Sequence, residues 1–227
     1  MNLGQAQLEQ FTVYYNELID WNNRFNLTAI TGYDEVRIKH FCDSLTVVLA
    51  FKPPDAGKHL RVIDVGTGAG FPGVPLKILL PGISLTLLES TAKKTFFLQH
   101  LKEKLGLSGV EIVTGRAEEV ARTEHYREKF DIVLSRGVAA MPTLLELCLP
   151  FCAVGGIFIA QKKGDIAGEI TGAATALKTM GGVLREIKKI ELEEFSDERC
   201  LVIIDKVSPT PPSYPRRPGT PAKKPIK

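Results

Sequence analysis

The first fifty residues carry their apolar side chains at helical spacing. In residues 5–20 the apolar positions recur every three or four residues, which predicts an amphipathic helix. A second helix is predicted at about 34–49 and should end before Pro53-Pro54 and Gly57. The aromatic, Asn-rich stretch 21–28 between the two helices is predicted to be a loop.

From residue 60 onward, short apolar runs alternate with amphipathic stretches. The predicted strands are 61–65, 84–89, 110–114, 131–135 and 156–161, and the predicted helices are about 73–80, 91–105, 116–122, 140–151 and 166–180. Strands that are apolar on both faces are typical of a parallel sheet covered by helices on both sides. Two further strands, near 183–192 and 199–207, have no long helix between them, which predicts an antiparallel hairpin. The pattern therefore predicts an α/β fold: a doubly wound, mostly parallel, seven-stranded Rossmann-like sheet with an N-terminal helical extension.

The last twenty residues differ in composition from the rest of the chain. Residues 208–227 hold seven prolines, five of the 29 basic residues and none of the 26 acidic residues. The remainder has 24 basic and 26 acidic residues, so this segment carries the whole positive excess. A basic terminal segment favours a polyanionic partner such as nucleic acid. We expect three regions: a helical cap (1–55), a core (56–207) and the basic, Pro-rich segment (208–227).

Composition excludes several classes of protein. A hydrophobic content of 44% is ordinary for a globular protein with a full core, and no apolar run approaches the ~20 residues that cross a bilayer. We therefore expect no membrane partner. The N-terminal sequence has no secretory pattern, which favours the cytoplasm. We also expect the chain to be a monomer. The cysteines show no zinc-ligand spacing, so we expect buried thiols and no metal: Cys42, Cys148, Cys152 and Cys200.

A glycine-rich turn is the strongest chemical signal in the chain. Residues 62–73 read Val-Ile-Asp-Val-Gly-Thr-Gly-Ala-Gly-Phe-Pro-Gly, an apolar strand followed by a turn and the start of a helix. Glycine permits positive φ and places no Cβ between the backbone and a ligand. The N–H groups at the start of a helix can also face a ligand. The turn is therefore a candidate site for a nucleotide-like cofactor.

The residues of the turn favour S-adenosylmethionine over NAD. Gly68–Gly73 matches a G-x-G-x-x-G fingerprint but begins two residues late. Counting from the strand end instead puts Phe71 where the third glycine would let the helix pack closely. Asp64 would repel a pyrophosphate but attract the ammonium and sulfonium groups of S-adenosylmethionine. An aspartate that only caps or holds the turn is the alternative for Asp64.

Polar residues follow the next three strands, at the edge where ligands bind in open α/β sheets. Glu89 ends the second strand and can accept hydrogen bonds from both ribose hydroxyls; Ser90 and Thr91 follow, with N-capping of the next helix as their alternative role. Two more groups come after the third and fourth strands: Gly115-Arg116-Ala117-Glu118 and Ser135-Arg136-Gly137. The alternatives are a helix-dipole role for Glu118 and a structural ion pair for Arg136.

Several stretches resemble one known family. Residues 64–73 closely resemble the signature of the bacterial glucose-inhibited division protein B family, the small-subunit rRNA methyltransferase G enzymes. Further matching pieces occur in the family's order: Trp21-Asn-x-x-Phe25-Asn-Leu-Thr28, Lys39-His-x-x-Asp43-Ser, Ser135-Arg136, Tyr214-Pro-Arg and Gly219-x-Pro-x-Lys-x-Pro225. The family often has Asp where Glu89 stands, which keeps the carboxylate and changes its reach.

The resemblance implies a class I methyltransferase that moves a methyl group from S-adenosylmethionine to N7 of a guanine in 16S rRNA. The chain resembles the enzymes that modify guanine 527 of the small-subunit rRNA. The implied partner is 16S rRNA or a small ribosomal subunit particle, and residues 208–227 are implied to pack back near the site. The implied cofactor-binding residues are Gly66, Phe71, Glu89, Ser90, Thr91, Ala117, Glu118 and Arg136.

No catalytic general base is expected, because N7 of guanine has an in-plane lone pair and loses no proton on methylation. The chain has no Asn/Asp-Pro-Pro-Tyr stretch after the fourth strand and no Pro-Cys nucleophile. The residues favoured for RNA contact are Arg199, Arg216 and Arg217, with Lys162 and Lys163 beside the fifth strand. The alternatives are a small-molecule methyltransferase, an NAD-dependent oxidoreductase and a non-enzymatic RNA-binding protein.

Overall fold

The computed structural model describes residues 3–52, 59–195 and 197–226 and contains a seven-stranded sheet with the order β3-β2-β1-β4-β5-β7-β6. The strands are β1 (Arg61–Val65), β2 (Ser84–Glu89), β3 (Val110–Thr114), β4 (Phe130–Arg136), β5 (Cys152–Lys163), β6 (Gly182–Ile190) and β7 (Arg199–Lys206). The first five strands pair in parallel, and β7 runs antiparallel to both β5 and β6. The predicted doubly wound sheet and its antiparallel final pair are confirmed.

Helices flank this sheet. They are α1 (Gln5–Phe25), α2 (Tyr33–Val36), α3 (Asp43–Leu45), α4 (Gly73–Leu79), α5 (Ala92–Lys104), α6 (Ala117–Val120), α7 (Met141–Cys148), α8 (Ala167–Thr171), α9 (Ala174–Thr179) and α10 (Thr220–Lys223). A π turn (Arg37–Cys42) joins α2 to α3, and a 3-10 turn (Thr46–Ala50) follows, so the predicted second helix exists but is irregular. Its predicted end at Pro53-Pro54 and Gly57, and the boundary between 55 and 56, lie outside the described residues.

Alternate residues of the central strands face two hydrophobic layers. In β1, Val62 lies in the layer that includes α1, α4 and α5, whereas Ile63 and Val65 lie in the layer that includes α7 and α9. Leu87 and Leu88 of β2 divide in the same way. All five side chains are at most 1% exposed. Because both faces are covered, the strands read as continuous apolar runs in the sequence.

The first helix extends past its predicted end because Trp21 packs on α5. The Trp21 ring centroid lies 5.6 Å from that of Phe97 and 5.1 Å from that of His100. The last helical residue is Phe25. Asn26 caps the helix in the left-handed conformation (φ 49°), and its N–H donates to the Asn22 carbonyl. The loop prediction for 21–28 is therefore wrong over 21–25, where a tertiary contact decides the local structure.

Other elements differ from prediction at their ends. β5 begins four residues early, because a bulge lets Cys152 pair with Phe130 before regular pairing with β4 resumes at Ile157. Gly155, with φ of 88°, accommodates the bulge. The predicted helix at 166–180 is two short helices, α8 and α9, and the one at 140–151 ends in a 3-10 turn after α7.

The C-terminal segment packs along α6 and α7. The guanidinium of Arg127 donates to the carbonyl oxygens of Thr210, Pro211 and Tyr214 at 2.8–3.2 Å. Arg122 donates to two further carbonyls of the segment at 2.6 and 3.0 Å. Proline has no N–H, so a Pro-rich segment cannot join a sheet ladder. Two arginines of the core supply the donors that hold it instead.

Replacing Arg127 with alanine should loosen this segment. Three carbonyls would lose charge-assisted donors, so we expect the free energy of unfolding to fall by about 2–3 kcal/mol and the segment to be cleaved faster by protease. Denaturant unfolding and limited proteolysis measure these effects. Lys129→Ala, at an exposed neighbouring position, is the control. Wild-type stability and protease resistance in Arg127→Ala would contradict this role.

Candidate cofactor-binding site

The turn between β1 and α4 is built from glycines in the left-handed conformation. Gly66, Gly68 and Gly70 have φ values of 72°, 62° and 100°. The N–H of Gly66 donates to the Leu88 carbonyl at 2.8 Å, which ties the turn to β2. A Cβ on Gly70 would lie 2.7 Å from the Tyr14 hydroxyl of α1. The turn therefore needs glycine both for its backbone conformation and for the approach of α1.

Gly73 allows α4 to pack closely on the sheet. A Cβ at this position would lie 2.8 Å from Leu87 Cδ2 and 3.0 Å from the Asp64 carboxylate. The close-packing glycine of the fingerprint is thus present at position 73, two residues beyond Phe71. The register counted from the strand end, which put Phe71 in the place of this glycine, is therefore not the one that the structure uses.

Asp64 holds the turn closed. Its Oδ2 accepts hydrogen bonds from the Thr67 hydroxyl at 2.7 Å and from the Gly73 N–H at 2.8 Å, and the residue is fully buried. Burial raises the pKa of this carboxyl to about 6, and the two hydrogen bonds oppose that rise. The structure thus supports the turn-holding alternative for Asp64 over direct attraction of a cationic cofactor.

A cavity of about 380 Å³ lies over this turn, within the size range of small-molecule sites. Five of the eight predicted cofactor-binding residues line it: Gly66, Phe71, Glu89, Ser90 and Arg136. The sequence analysis assigned no role to four other lining residues: Leu27, Thr28, His40 and Lys94. These four come from the N-terminal region and α5, and only the folded chain brings them to the strand ends.

Glu89 is the acidic group of the cavity. Its carboxylate accepts hydrogen bonds from the Gly68 N–H at 3.1 Å and the Thr91 N–H at 2.8 Å, so it links the turn to the start of α5. The residue is 6% exposed and makes its contacts at the end of β2. A carboxylate held in this position has lone pairs left to accept hydrogen bonds from a bound ligand.

Three predicted residues lie at the same sheet edge but do not line the cavity. Thr91 precedes α5 and makes no side-chain cap bond, so its contribution is the N–H bonded to Glu89. Ala117 and Glu118 begin α6, after the strand that neighbours β2. The Glu118 carboxylate accepts a hydrogen bond from the Gly219 N–H at 2.9 Å. This contact joins the C-terminal segment to the start of α6.

An aromatic and cationic wall closes the other side. The Phe71 ring stacks on His40, with centroids 4.6 Å apart, and the Arg136 guanidinium carbon lies 4.9 Å from the Phe71 centroid. Burial, together with the positive charge of Arg136, lowers the pKa of His40 from 6.5 to about 4. His40 is therefore neutral near pH 7, with its Nε2 2.8 Å from the Thr28 hydroxyl.

A buried carboxylate fixes Arg136. Asp43 Oδ2 lies 3.0 Å from Arg136 Nη1 and 2.7 Å from Arg199 Nη1, and the Asp43 side chain is 5% exposed. The structural ion pair considered for Arg136 thus exists, and the same arginine also lines the cavity. The family-like stretch Lys39-His-x-x-Asp43-Ser contains His40 and Asp43 of this wall. Its contact with Arg136 could not be predicted, because Asp43 and Arg136 are 93 residues apart in the sequence.

The predicted RNA-contact residues are placed differently from one another. The Arg199 side chain is 3% exposed and pairs with Asp43 and Asp197, and Arg216 pairs with the fully buried Glu146 at 2.6 Å. Lys162 pairs with Glu169, and Lys163 with Asp197 at 3.5 Å. Arg217 is exposed. For Arg199 and Arg216, RNA contact stays a prediction that would require an internal ion pair to open.

Metal centres, membrane-spanning helices and reactive cysteines are the other features that the described parts of the chain could contain. Within those ranges, no cluster of three or more His, Cys, Asp or Glu side chains could hold a metal ion, and no helix is long and apolar enough to cross a bilayer. Cys148 and Cys152 are buried, and burial raises the pKa of Cys152 to about 12, which makes it a poor nucleophile. Cys42 is exposed, so the prediction of a buried thiol is wrong there.

Comparison with known proteins decides the family. The model of the GidB family, described as rRNA small subunit methyltransferase G, matches residues 7–199. The chain belongs to this family. A ribosomal RNA small subunit methyltransferase G from Dehalococcoides mccartyi is 55% identical over 226 residues, covering 100% of this chain and 94% of the relative. The protein of that name from Halalkalibacterium halodurans is 46% identical, covering 99% of this chain and 93% of the relative.

Solved structures show the same fold at low sequence identity. M. jannaschii TYW2 in complex with AdoMet has a TM-score of 0.54 at 14% identity, covering 78% of each chain. The YcgJ protein from Bacillus subtilis has a TM-score of 0.57 at 10% identity, covering 74% of this chain and 100% of that chain. The predicted family, methyltransferase class and S-adenosylmethionine cofactor are confirmed, and the oxidoreductase alternative is excluded.

Titration of Asp64 should leave a trace in the stability of the protein. Because its pKa is raised from 3.8 to about 6 in the folded state, the folded chain binds the proton more tightly than the unfolded chain. Stability relative to Asp64→Asn should therefore fall by about 2–2.5 kcal/mol as pH rises from 4 to 7. Denaturant unfolding across this pH range measures the difference.

Asp20→Asn, at an exposed position of α1, is the matched control for charge removal. If the stability difference between wild type and Asp64→Asn does not change with pH, Asp64 has an ordinary pKa in the folded chain and the rise caused by burial is contradicted.

Proposed function

We propose that this chain transfers the methyl group of S-adenosylmethionine to N7 of a guanine in the small-subunit rRNA, 16S rRNA. The observation that supports the proposal best is the open glycine turn, with Glu89 at its edge, in a chain that belongs to this family. The relatives named above are ribosomal RNA small subunit methyltransferases. In a bacterium this RNA is made and assembled in the cytoplasm, which is where we place the activity.

The residues of the cavity fit S-adenosylmethionine. A Cβ on Gly68 would meet no atom within 4 Å, so the bare backbone there opens into free space that a ligand can fill. We assign the ribose hydroxyls to Glu89, because a carboxylate at the end of β2 accepts both of them. Arg136 and Lys94, the two cations of the lining, are suited to the carboxylate of the methionine part. Ser90, Thr91, Ala117 and Glu118 are assigned to the ribose and adenine side.

The chemistry needs alignment and exclusion of water from the protein. When bound, S-adenosylmethionine supplies a methyl group on a positively charged sulfur, and this sulfur keeps the electron pair of the carbon–sulfur bond that breaks. The guanine N7 lone pair forms the new bond, so no protein base has to remove a proton. The wall of Phe71, His40 and Arg136 can orient the reactants and shield them from water. Neutral His40 adds no positive charge that would oppose the developing guanine cation.

The ribose assignment can be tested at Glu89. Glu89→Ala should raise the dissociation constant for S-adenosylmethionine by about 5- to 150-fold, which corresponds to 1–3 kcal/mol of lost hydrogen bonding. Glu89→Asp keeps the carboxylate and should lose much less. Calorimetric titration measures both, with circular dichroism as the folding control. A folded Glu89→Ala variant with wild-type affinity would contradict the assignment.

The reaction itself can be tested with labelled S-adenosylmethionine. Unmodified 16S rRNA, both free and in small-subunit particles, is incubated with the protein, and the label is mapped by primer extension and nucleoside analysis. We expect one labelled 7-methylguanosine. Label on another atom or base would correct the reaction, and an absence of label on both substrates would overturn the proposed function.

A further inference from the structure

Two exposed aromatic rings lie beside the cofactor cavity. Phe96 of α5 is 69% exposed, and Phe25 at the end of α1 is 38% exposed. Phe25 lies two residues before Leu27, and Phe96 lies two residues after Lys94. Leu27 and Lys94 both line the cavity, so each ring is carried by a segment that reaches the cavity within two residues.

Positive charge accompanies these rings. The Lys93 Nζ lies 6.0 Å from the centroid of the Phe25 ring, a cation–π arrangement. Lys93 and Phe96 are three residues apart on α5 and therefore neighbours on the helix surface. None of the ion pairs formed within residues 3–52, 59–195 and 197–226 involves Lys93 or Lys94. These two lysines differ in this respect from Arg199 and Arg216.

The combination is the one that unpaired nucleic acid requires. Bases stack on exposed aromatic rings whatever their sequence, and nearby cations bind the phosphates between them. RNA is recognised by proteins largely at unpaired bases, which can be turned out of a helix and stacked. Two flat rings with lysines beside them, next to the place where a methyl group is held, match that requirement.

We propose that Phe25, Lys93 and Phe96 form an RNA platform, on which unpaired nucleotides flanking the target guanine stack while the base enters the cavity. This inference rests on the proposed function, because it names the surface that holds the same substrate. The rings bind base faces, and Lys93 binds a phosphate. Lys94, the next residue on α5, lines the cavity and connects the platform to it along the chain. The partner is a single-stranded segment of the small-subunit rRNA.

The single tryptophan of the chain provides a direct signal of binding. Trp21 packs on Phe25, with ring centroids 5.4 Å apart, so a base stacked on Phe25 should change its fluorescence. The probe is a protein-free transcript of 16S rRNA, titrated into wild type, Phe96→Ala, Phe96→Tyr and Lys93→Ala. The dissociation constant for S-adenosylmethionine is measured for each variant separately.

We expect Phe96→Ala to bind the transcript roughly tenfold or more weakly and Phe96→Tyr to bind like wild type, because loss of one stacking ring costs 1–3 kcal/mol per base. Lys93→Ala should weaken binding and reduce the log–log salt slope by about 0.7. Cofactor affinity should be unchanged in every variant. Two matched controls are Leu8→Ala, at an exposed apolar position of α1, and Lys178→Ala, at an exposed position of α9.

Wild-type RNA affinity in Phe96→Ala and Lys93→Ala would overturn the platform. So would an equal loss of cofactor affinity, which would indicate a structural role. A defect seen with small-subunit particles but absent with the protein-free transcript would assign the surface to a protein partner and also overturn the inference. These outcomes differ from failure of the proposed function, in which wild type itself places no methyl group on rRNA.

Discussion

The buried carboxylate of Asp64 is the interaction on which the site depends. It binds the Thr67 hydroxyl and the Gly73 N–H, and so fixes both ends of the glycine turn. Between those ends lies Gly68, whose bare backbone lines the cavity. Taking a carboxylate out of water is costly, and the raised pKa of Asp64 records that cost. The hydrogen bonds to Thr67 and Gly73 offset part of this cost, and they fix the turn that holds a ligand against bare backbone.

The N-terminal region is part of the site. Tyr14 of α1 bonds the Ala69 carbonyl at 2.6 Å and stacks on Phe71. His40 lies in a π turn, an irregularity that is frequent at functional sites, and Asp43 at its end holds Arg136 of β4. Leu27, Thr28 and His40 line the cavity, so this region contributes to the site as well as covering the sheet, and the boundary of the cap at residue 55 stays a prediction.

The positive charges of the chain serve two different purposes. Arg127 and Arg122 bind carbonyls of the C-terminal segment, while Arg199 and Arg216 pair with buried acids. The Arg199 side chain is 3% exposed and that of Arg216 is 28% exposed, and in both residues the ion pair ties the guanidinium to the core. Lys94 lines the cavity and Lys93 precedes it on α5, whose residues 92–104 carry four lysines and one glutamate.

The sequence by itself determined the sheet and the glycine turn, whereas the cofactor class followed from the resemblance to a family. Those features depend on residues close together in the chain: a doubly buried strand must be apolar throughout, and a tight turn with positive φ must carry glycine. It also placed Glu89 and Arg136 at the correct strand ends, since parallel strands end at one edge of the sheet. Only the tertiary structure decided that Trp21 extends α1, that Asp43 pairs with both Arg136 and Arg199, and which cations stay exposed. Such contacts join residues separated by tens of positions, and neither local propensity nor composition encodes which acid will meet which base.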